Sequence, residues 1–169
     1  MSAQSYIGVA VHINGRYFDV AEEVTEPDIE DKTEEVQLGG MAGPVEVFVG
    51  LQKLEKSYVF RGIDPEIFRA YGLKSGSDDL ATFTDRIALS NEGETKELIH
   101  ETQGRVKSIK QGTVKSGEVS KYTLEIAPVS HKVTLDGKEL LYVHMTDFIY
   151  RSDGIDKFEK ARSILARGN

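Results

Sequence analysis

Cysteine is absent from the 169 residues, which removes disulfide staples, thiolate metal sites and cysteine nucleophiles in one step and is compatible with a reducing cytoplasm. Tryptophan is absent too. The tyrosines and phenylalanines fall mostly at strand-core parity, so a small β-rich module that binds carbohydrate on stacked aromatics has little to be built from. The N-terminus, MSAQSYIGVAVHING, has no basic n-region, and its apolar run is too short and interrupted for a signal peptide or a membrane span. A soluble protein made in the cytoplasm is expected, without a membrane partner. Positive charge is scarce: 21 Lys and Arg against 28 Asp and Glu leave −7, which argues against a surface that grips a phosphate backbone through clustered cations. No internal repeat or low-complexity tract is present.

What is there suits one domain spanning 1–169, since 18.8 kDa and 39% hydrophobic residues suffice for a real core. Ile7, Val9, Val11 and Ile13 alternate with small or polar residues, and Asn14-Gly15 supplies a tight turn that puts Val11 opposite Phe18 and Val9 opposite Val20. Val24 and Ile29 bracket a strand that Pro27 marks as an edge or a bulge. From Asp31 to Pro44 the chain is polar and glycine-rich with no period, which reads as a long loop. Val45, Val47, Val49 and Leu51 then alternate, as do Tyr58 and Phe60 after a turn, suggesting a hairpin over Val45 to Arg61.

Asp64-Pro65-Glu66 opens a short helix, with Ile63 placed to staple onto Phe68 and Gly72 to end it; Leu73 to Leu80 reads as a linker. Further strands run over Ala81–Ser90 and Lys96–Lys110, around an Asn91-Glu92-Gly93-Glu94 turn, and through Tyr122, Leu124 and Ile126. Asp136-Gly137 makes another turn, with Val133 facing Leu140. A last helix is expected from a cap at Asp153, with Ile155, Phe158, Ala161 and Leu165 at helical spacing and Arg162 and Arg167 at its negative end. The fold class is therefore mainly β, of the α+β type: an antiparallel barrel or sandwich with two short helices.

Catalytic chemistry finds no foothold. His12, His100, His131 and His144 lack metal-motif spacing; His131 and His144, on opposite strands of one hairpin, suggest zinc but want a third ligand. Gly39 to Gly43 has no helix after it to cradle a phosphate. Glu22-Glu23 and Asp78-Asp79 are adjacent carboxylates, which point apart on a strand and read as solvated charge. No Ser, His and Asp trio is nominated by local motif, so neither enzyme activity nor a cofactor or metal is expected.

Two blocks carry a resemblance. Lys32 to Phe68 reads KTEEVQLGGMAGPVEVFVGLQKLEKSYVFRGIDPEIF: a charged start, a Gly-Gly-Met-Ala-Gly-Pro joint, an alternating strand, an amphipathic step and a Gly-x-Asp-Pro-Glu helix entry. Gly104 to Leu165 adds a strand-DG-strand hairpin and a closing helix after Gly-Ile-Asp. In this order they closely resemble the major tail tube proteins of contractile-tailed bacteriophages and R-type pyocins. The resemblance implies a virion structural protein, assembled in the host cytoplasm, whose hexameric rings join their sheets into an inner barrel and stack into a tube. That tube templates the sheath and conducts DNA, without specific binding, from capsid to host. The implied partners are further copies of the chain, the tail sheath protein, the tape-measure protein, and the baseplate hub and tail terminator proteins. An R-type pyocin or type VI secretion tube is the alternative. On this reading the loop at about 31–44 is an arm between subunits, with Lys32, Glu34, Glu35, Gly39, Gly40, Met41, Gly43 and Pro44 in the contact. Strand parity in the Val45–Arg61 hairpin makes Glu46 and Gln52 the lumen candidates.

Overall fold

Two-residue turns with both φ angles positive set the sheet, because only that hand of turn matches the twist of antiparallel strands. In the computed structural model, which describes residues 3–19, 21–72 and 80–165 and only the backbone of 70–72, Asn14 and Gly15 have φ of 51° and 83°. They join β1 (Gln4–Ile13) to β2 (Arg16–Phe18) with Val11 opposite Phe18 as the pattern demands. Val20, the expected partner of Val9, lies outside the described residues. Glu92-Gly93 joins β7 (Ala81–Asn91) to β8 (Glu94–Lys110), and Asp136-Gly137 joins β9 (Lys121–Leu135) to β10 (Lys138–His144), with the same signs of φ.

The ten-stranded sheet that results is antiparallel throughout. Its main path runs from β12 (Ile155–Asp156) through β11 (Ile149–Ser152), β10, β9, β8, β7 and β1 to β2. Two strands branch from it: β6 (Lys56–Arg61) pairs with the first half of β9, and β3 (Ala21–Thr25) pairs with β6. β3 is thus an edge strand, and it ends before Pro27. The main core lies where β1, β2 and β7 face β6 and β9, with Val11, Tyr58, Phe60, Phe83, Leu124 and Ile126 all fully buried. A smaller cluster gathers Leu54, Val143 and Tyr150, with Phe158 against them.

β9 changes partners along its length, with β10 on one half and β6 on the other, and at that change it carries a bulge at Val129, opposite Gln103 and Gly104 of β8. A Cβ on Gly104 would stand 2.7 Å from the Ala127 carbonyl oxygen and 2.8 Å from the Pro128 Cα. Backbone cannot yield as a flexible side chain would. Gly104→Ala is therefore expected to destabilise the fold by about 1–3 kcal/mol, read as a lower urea midpoint. An unchanged midpoint would show that the two strands separate freely there.

Helix α1 (Pro65–Gly72) begins as its sequence dictates: the Asp64 carboxylate accepts the Glu66 N–H at 3.0 Å, and Pro65 takes the first helical position. The residue it sends into the core is Ile67, 2% exposed; Ile63 and Phe68, expected to staple its start, are both exposed. The linker expected after it, Leu73 to Leu80, lies outside the described residues except for Leu80, and the Asp78-Asp79 pair lies outside them too.

Two expectations are corrected near the C-terminus. Val133 pairs with Leu141, not Leu140, because a bulge between Glu139 and Leu141 shifts the register by one. Asp153 does not cap a helix: Asp153-Gly154, with φ of 50° and 78°, is a further hairpin turn, joining β11 to β12, and Ile155 is a strand residue. Helix α2 spans only Glu159–Ile164 and buries none of its residues. Asp156 organises its entry, accepting the Phe158 N–H at 3.1 Å and pairing with Arg162 at 2.6 Å. Arg167 lies outside the described residues.

Candidate functional site

The segment expected to be a structureless loop is half strand. Asp31–Val36, sequence DKTEEV, forms β4, and Val45–Leu51 forms β5, the two making a separate two-stranded sheet with Glu34 opposite Val47 and Val36 opposite Val45. Nothing in β4 itself is apolar before Val36; the ladder to β5 is what holds it extended. The connection shrinks to residues 37–44, a tip containing Gly39, Gly40, Met41, Gly43 and Pro44, in which the Met41 N–H donates to the Leu38 carbonyl at 3.0 Å.

This hairpin projects as an arm. Successive residues of a strand face opposite sides, yet Val45, Glu46, Val47, Phe48 and Val49 are all exposed, so most of both faces is left uncovered by the other described residues. Phe48 makes a ring contact with Phe158, 6.1 Å between centroids, and Leu51 packs beside the smaller core cluster at the arm's base. Glu35 and Glu46 stand opposite each other, a like-charge pair that weakens the arm in isolation. β5 and β6 do not form the expected Val45–Arg61 hairpin, because β4 takes the place beside β5, and β3 and β9 take both sides of β6. The strand parity that made Glu46 and Gln52 lumen candidates therefore has no hairpin to act in; Glu46 is an arm residue, and Gln52, whose N–H donates to the Glu30 carbonyl at 2.8 Å, belongs to its return.

Both roots of the arm meet in a buried cluster of charged and polar groups. Glu26 lies where the chain leaves β3 for the arm, and Lys56 opens β6 where it returns. Lys56 Nζ, fully buried, donates to Glu26 Oε2 at 2.5 Å and to the buried carboxylate of Asp85. Tyr58 Oη donates to the other Asp85 oxygen at 2.7 Å. On the same face of the sheet, His100 pairs in register with Asp85, and His131 with Thr102. His100 Nδ1 is 3.2 Å from His131 Nε2, and His131 Nδ1 is 2.8 Å from Thr102 Oγ1. The His131–His144 pairing that the hairpin left open is not made: Val143 is opposite His131, so His144 falls on the next rung and the other face, where its Nδ1 accepts the Asp147 N–H at 3.1 Å.

Burial governs the charges here. It pushes His131 down to about 3 and His100 down to about 4, and Glu26 up to about 8. Asp85 stays below its ordinary value: burial acts to raise it, but its bonds to Glu26, Lys56 and Tyr58 prevail. The histidines therefore contribute stability that is complete above their ordinary value of 6.5 and is lost as pH falls below it. Glu26 contributes stability that is complete below its ordinary 4.5 and is lost as pH rises through about 8. Between 4.5 and 6.5 two histidines outweigh one carboxyl, so stability is expected to peak near pH 6.5. Urea midpoints measured across that range would test this, and a flat profile would contradict it.

No helix among the described residues is long and apolar enough to cross a membrane. The wide face of β7, β8, β9 and β10 turned away from the core is polar, with Thr82, Glu101, Gln103, Lys132, Tyr142 and Arg151 along one groove. An arm without a cover, an ion-paired root and a broad polar face are features for assembly. The model of the family "Phage tail tube protein FII" matches residues 5–165. The chain belongs to the phage tail tube protein family. It is 33% identical over 134 residues to the "Major tail tube protein" of Serratia phage KSP20, covering 78% of this chain and 76% of that one. To the "Tail tube protein" of Escherichia phage P2 it is 28% identical over 156 residues, covering 90% and 91%. Its fold is that of a chain from an extracellular contractile injection system, PVC sheath/tube terminator, at a TM-score of 0.60 and 14% identity over 76% of this chain and 93% of that one. A chain of the PVC sheath-tube complex gives 0.58 and 13%, over 75% and 86%. This tail tube protein is a structural protein of the virion, not an enzyme.

Proposed function

We propose that copies of this tail tube protein close into hexameric rings that stack into the inner tube of a contractile phage tail, with the β4–β5 arm as the contact between subunits. The arm carries the proposal: a hairpin with Val45, Val47, Phe48 and Val49 exposed on two faces lacks a cover among the described residues of its own chain, and a second copy supplies one of matching character. Lys32, Glu34, Glu35, Gly39, Gly40, Met41, Gly43 and Pro44 lie in that contact. A second feature supports ring closure. β2 pairs with β1 only from Val11 to Ile13, so among the described residues Gln4 to Ala10 present an open strand edge that includes the exposed Tyr6 and Ile7. Pairing that edge with a neighbour's sheet removes an aggregation hazard and makes one continuous wall.

The lumen role passes from Glu46 and Gln52 to the polar face of the main sheet, where Glu101 stands opposite Lys132. Its mixed charge offers DNA no cationic track, as a conduit needs. The outer surface serves the sheath, which the tube templates; the lumen holds the tape-measure protein before DNA passes, and the tube's ends meet the baseplate hub and tail terminator. Assembly in the host cytoplasm completes the reading, and the two curated relatives, both phage proteins, favour a tail over a secretion device.

Hydrogen exchange tests the two contacts together. Residues 32–44 and those N–H groups of residues 4–10 that face away from β7 are expected to exchange fast in the dilute subunit and slowly in the tube. Equal protection in both states would remove the arm and the edge from the interface.

A further inference from the structure

We propose that Glu26, His100 and His131 bind a single divalent transition-metal ion of the zinc class, at the root of the arm. One donor atom from each lies within 4.8 Å of the others. His100 Nδ1 is 3.2 Å from His131 Nε2 and 3.8 Å from Glu26 Oε2. Ligands at about 2.0–2.2 Å from one tetrahedral ion are separated by roughly 3.3 Å, so the two separations from His100 Nδ1 already stand near the spacing a shared ion demands. Two imidazoles and one carboxylate are a recurrent donor set for zinc, with a fourth position left to water.

Three further features fit an ion. His131 Nδ1 is held by Thr102 Oγ1, the outer contact that fixes a ligand histidine with Nε2 free for metal. Glu26 Oε1 is buried and has no hydrogen-bond partner. The Glu26 and His100 side chains retain 20% and 14% exposure, which leaves an approach from the surface, whereas His131 is sealed behind them. Lys56 now holds Glu26 Oε2, and it is also bonded to Asp85. When Glu26 turns to the ion, the ammonium keeps Asp85 and Glu26 gives up one contact. The ion would then tie the strand leaving for the arm to β8 and β9, which is a firmer joint than the single Glu26–Lys56 bridge.

The test uses full-length protein stripped with EDTA and dialysed, then titrated with zinc chloride by calorimetry and with Co2+ followed by visible absorption. One ion per chain, a Co2+ ligand-field band and a higher Tm in zinc are expected. His100→Ala and Glu26→Gln should each weaken binding by at least about tenfold, since even outer-contact changes cost about 10–100-fold in metal affinity. In the wild-type protein, Co2+ should shift the ring NMR signals of His100 and His131 and leave His12 and His144 in place, a readout that needs no variant to fold. The proposal is overturned if the wild-type protein takes up no zinc, or if uptake survives both substitutions, or if the shifted signals are those of His12 or His144.

Discussion

Lys56→Ala is expected to lower stability by about 3–5 kcal/mol, the cost of stripping one partner from a buried ion pair. The alanine leaves Asp85, fully buried, without its cation, and Glu26 beside it. It also opens a space above the Tyr58 ring, over which the ammonium now sits at 5.0 Å. The ion pair itself is not expected to be the source of the fold's stability, because a matched uncharged set in the same place loses the attraction and the desolvation cost together. Lys56→Met with Glu26→Gln and Asp85→Asn should therefore recover much of the loss, because the amide oxygen that replaces the carboxylate can still accept the Tyr58 hydroxyl proton. Urea unfolding of the two variants decides it. A loss under about 1 kcal/mol for Lys56→Ala would mean that water enters the cluster and screens it.

The second large effect is on assembly. Val47→Lys combined with Val49→Lys is expected to abolish tubes while leaving the subunit's own stability within about 0.5 kcal/mol, since both side chains are exposed in the single chain. In the tube each substitution would place an uncompensated ammonium in an apolar contact, repeated in every subunit. Sedimentation and urea unfolding separate the outcomes. Tubes of normal length from the double variant would exclude the arm from stacking; an unfolded subunit would make the arm part of the fold.

The sequence makes much of this architecture visible where a local rule decides it. Asn14-Gly15 and Asp136-Gly137 name their turns, and Val11 meets Phe18 because a two-residue turn leaves no other register. Leu141 replaces Leu140 as the partner of Val133 through a bulge that no pattern marks. The strand in DKTEEV is hidden for a different reason: its ladder, not its side chains, holds it, and the apolar surface that would announce it is on β5. Asp153-Gly154 offers two readings, a cap and a turn, and the positive φ angles belong to the turn.

The buried cluster is the least legible part, because Glu26, Lys56, Asp85, His100 and His131 come from widely separated positions and no spacing joins them. One signal is present. Asp85 shares inward parity with Phe83 and Ile87 on β7, and a carboxylate in that place requires a buried partner. Spacing pairs His131 with His144, its near neighbour across the hairpin, whereas its partner in the fold is His100 on the other flanking strand.

Electron microscopy of the purified protein, concentrated or nucleated with native tail fragments, addresses the central claim most directly. The account predicts six-membered rings that stack into hollow tubes, with residues 31–51 of each subunit lying against a neighbouring copy and Glu101 facing the bore. A protein that remains strictly monomeric under those conditions, or tubes in which residues 31–51 touch no other subunit, would contradict it.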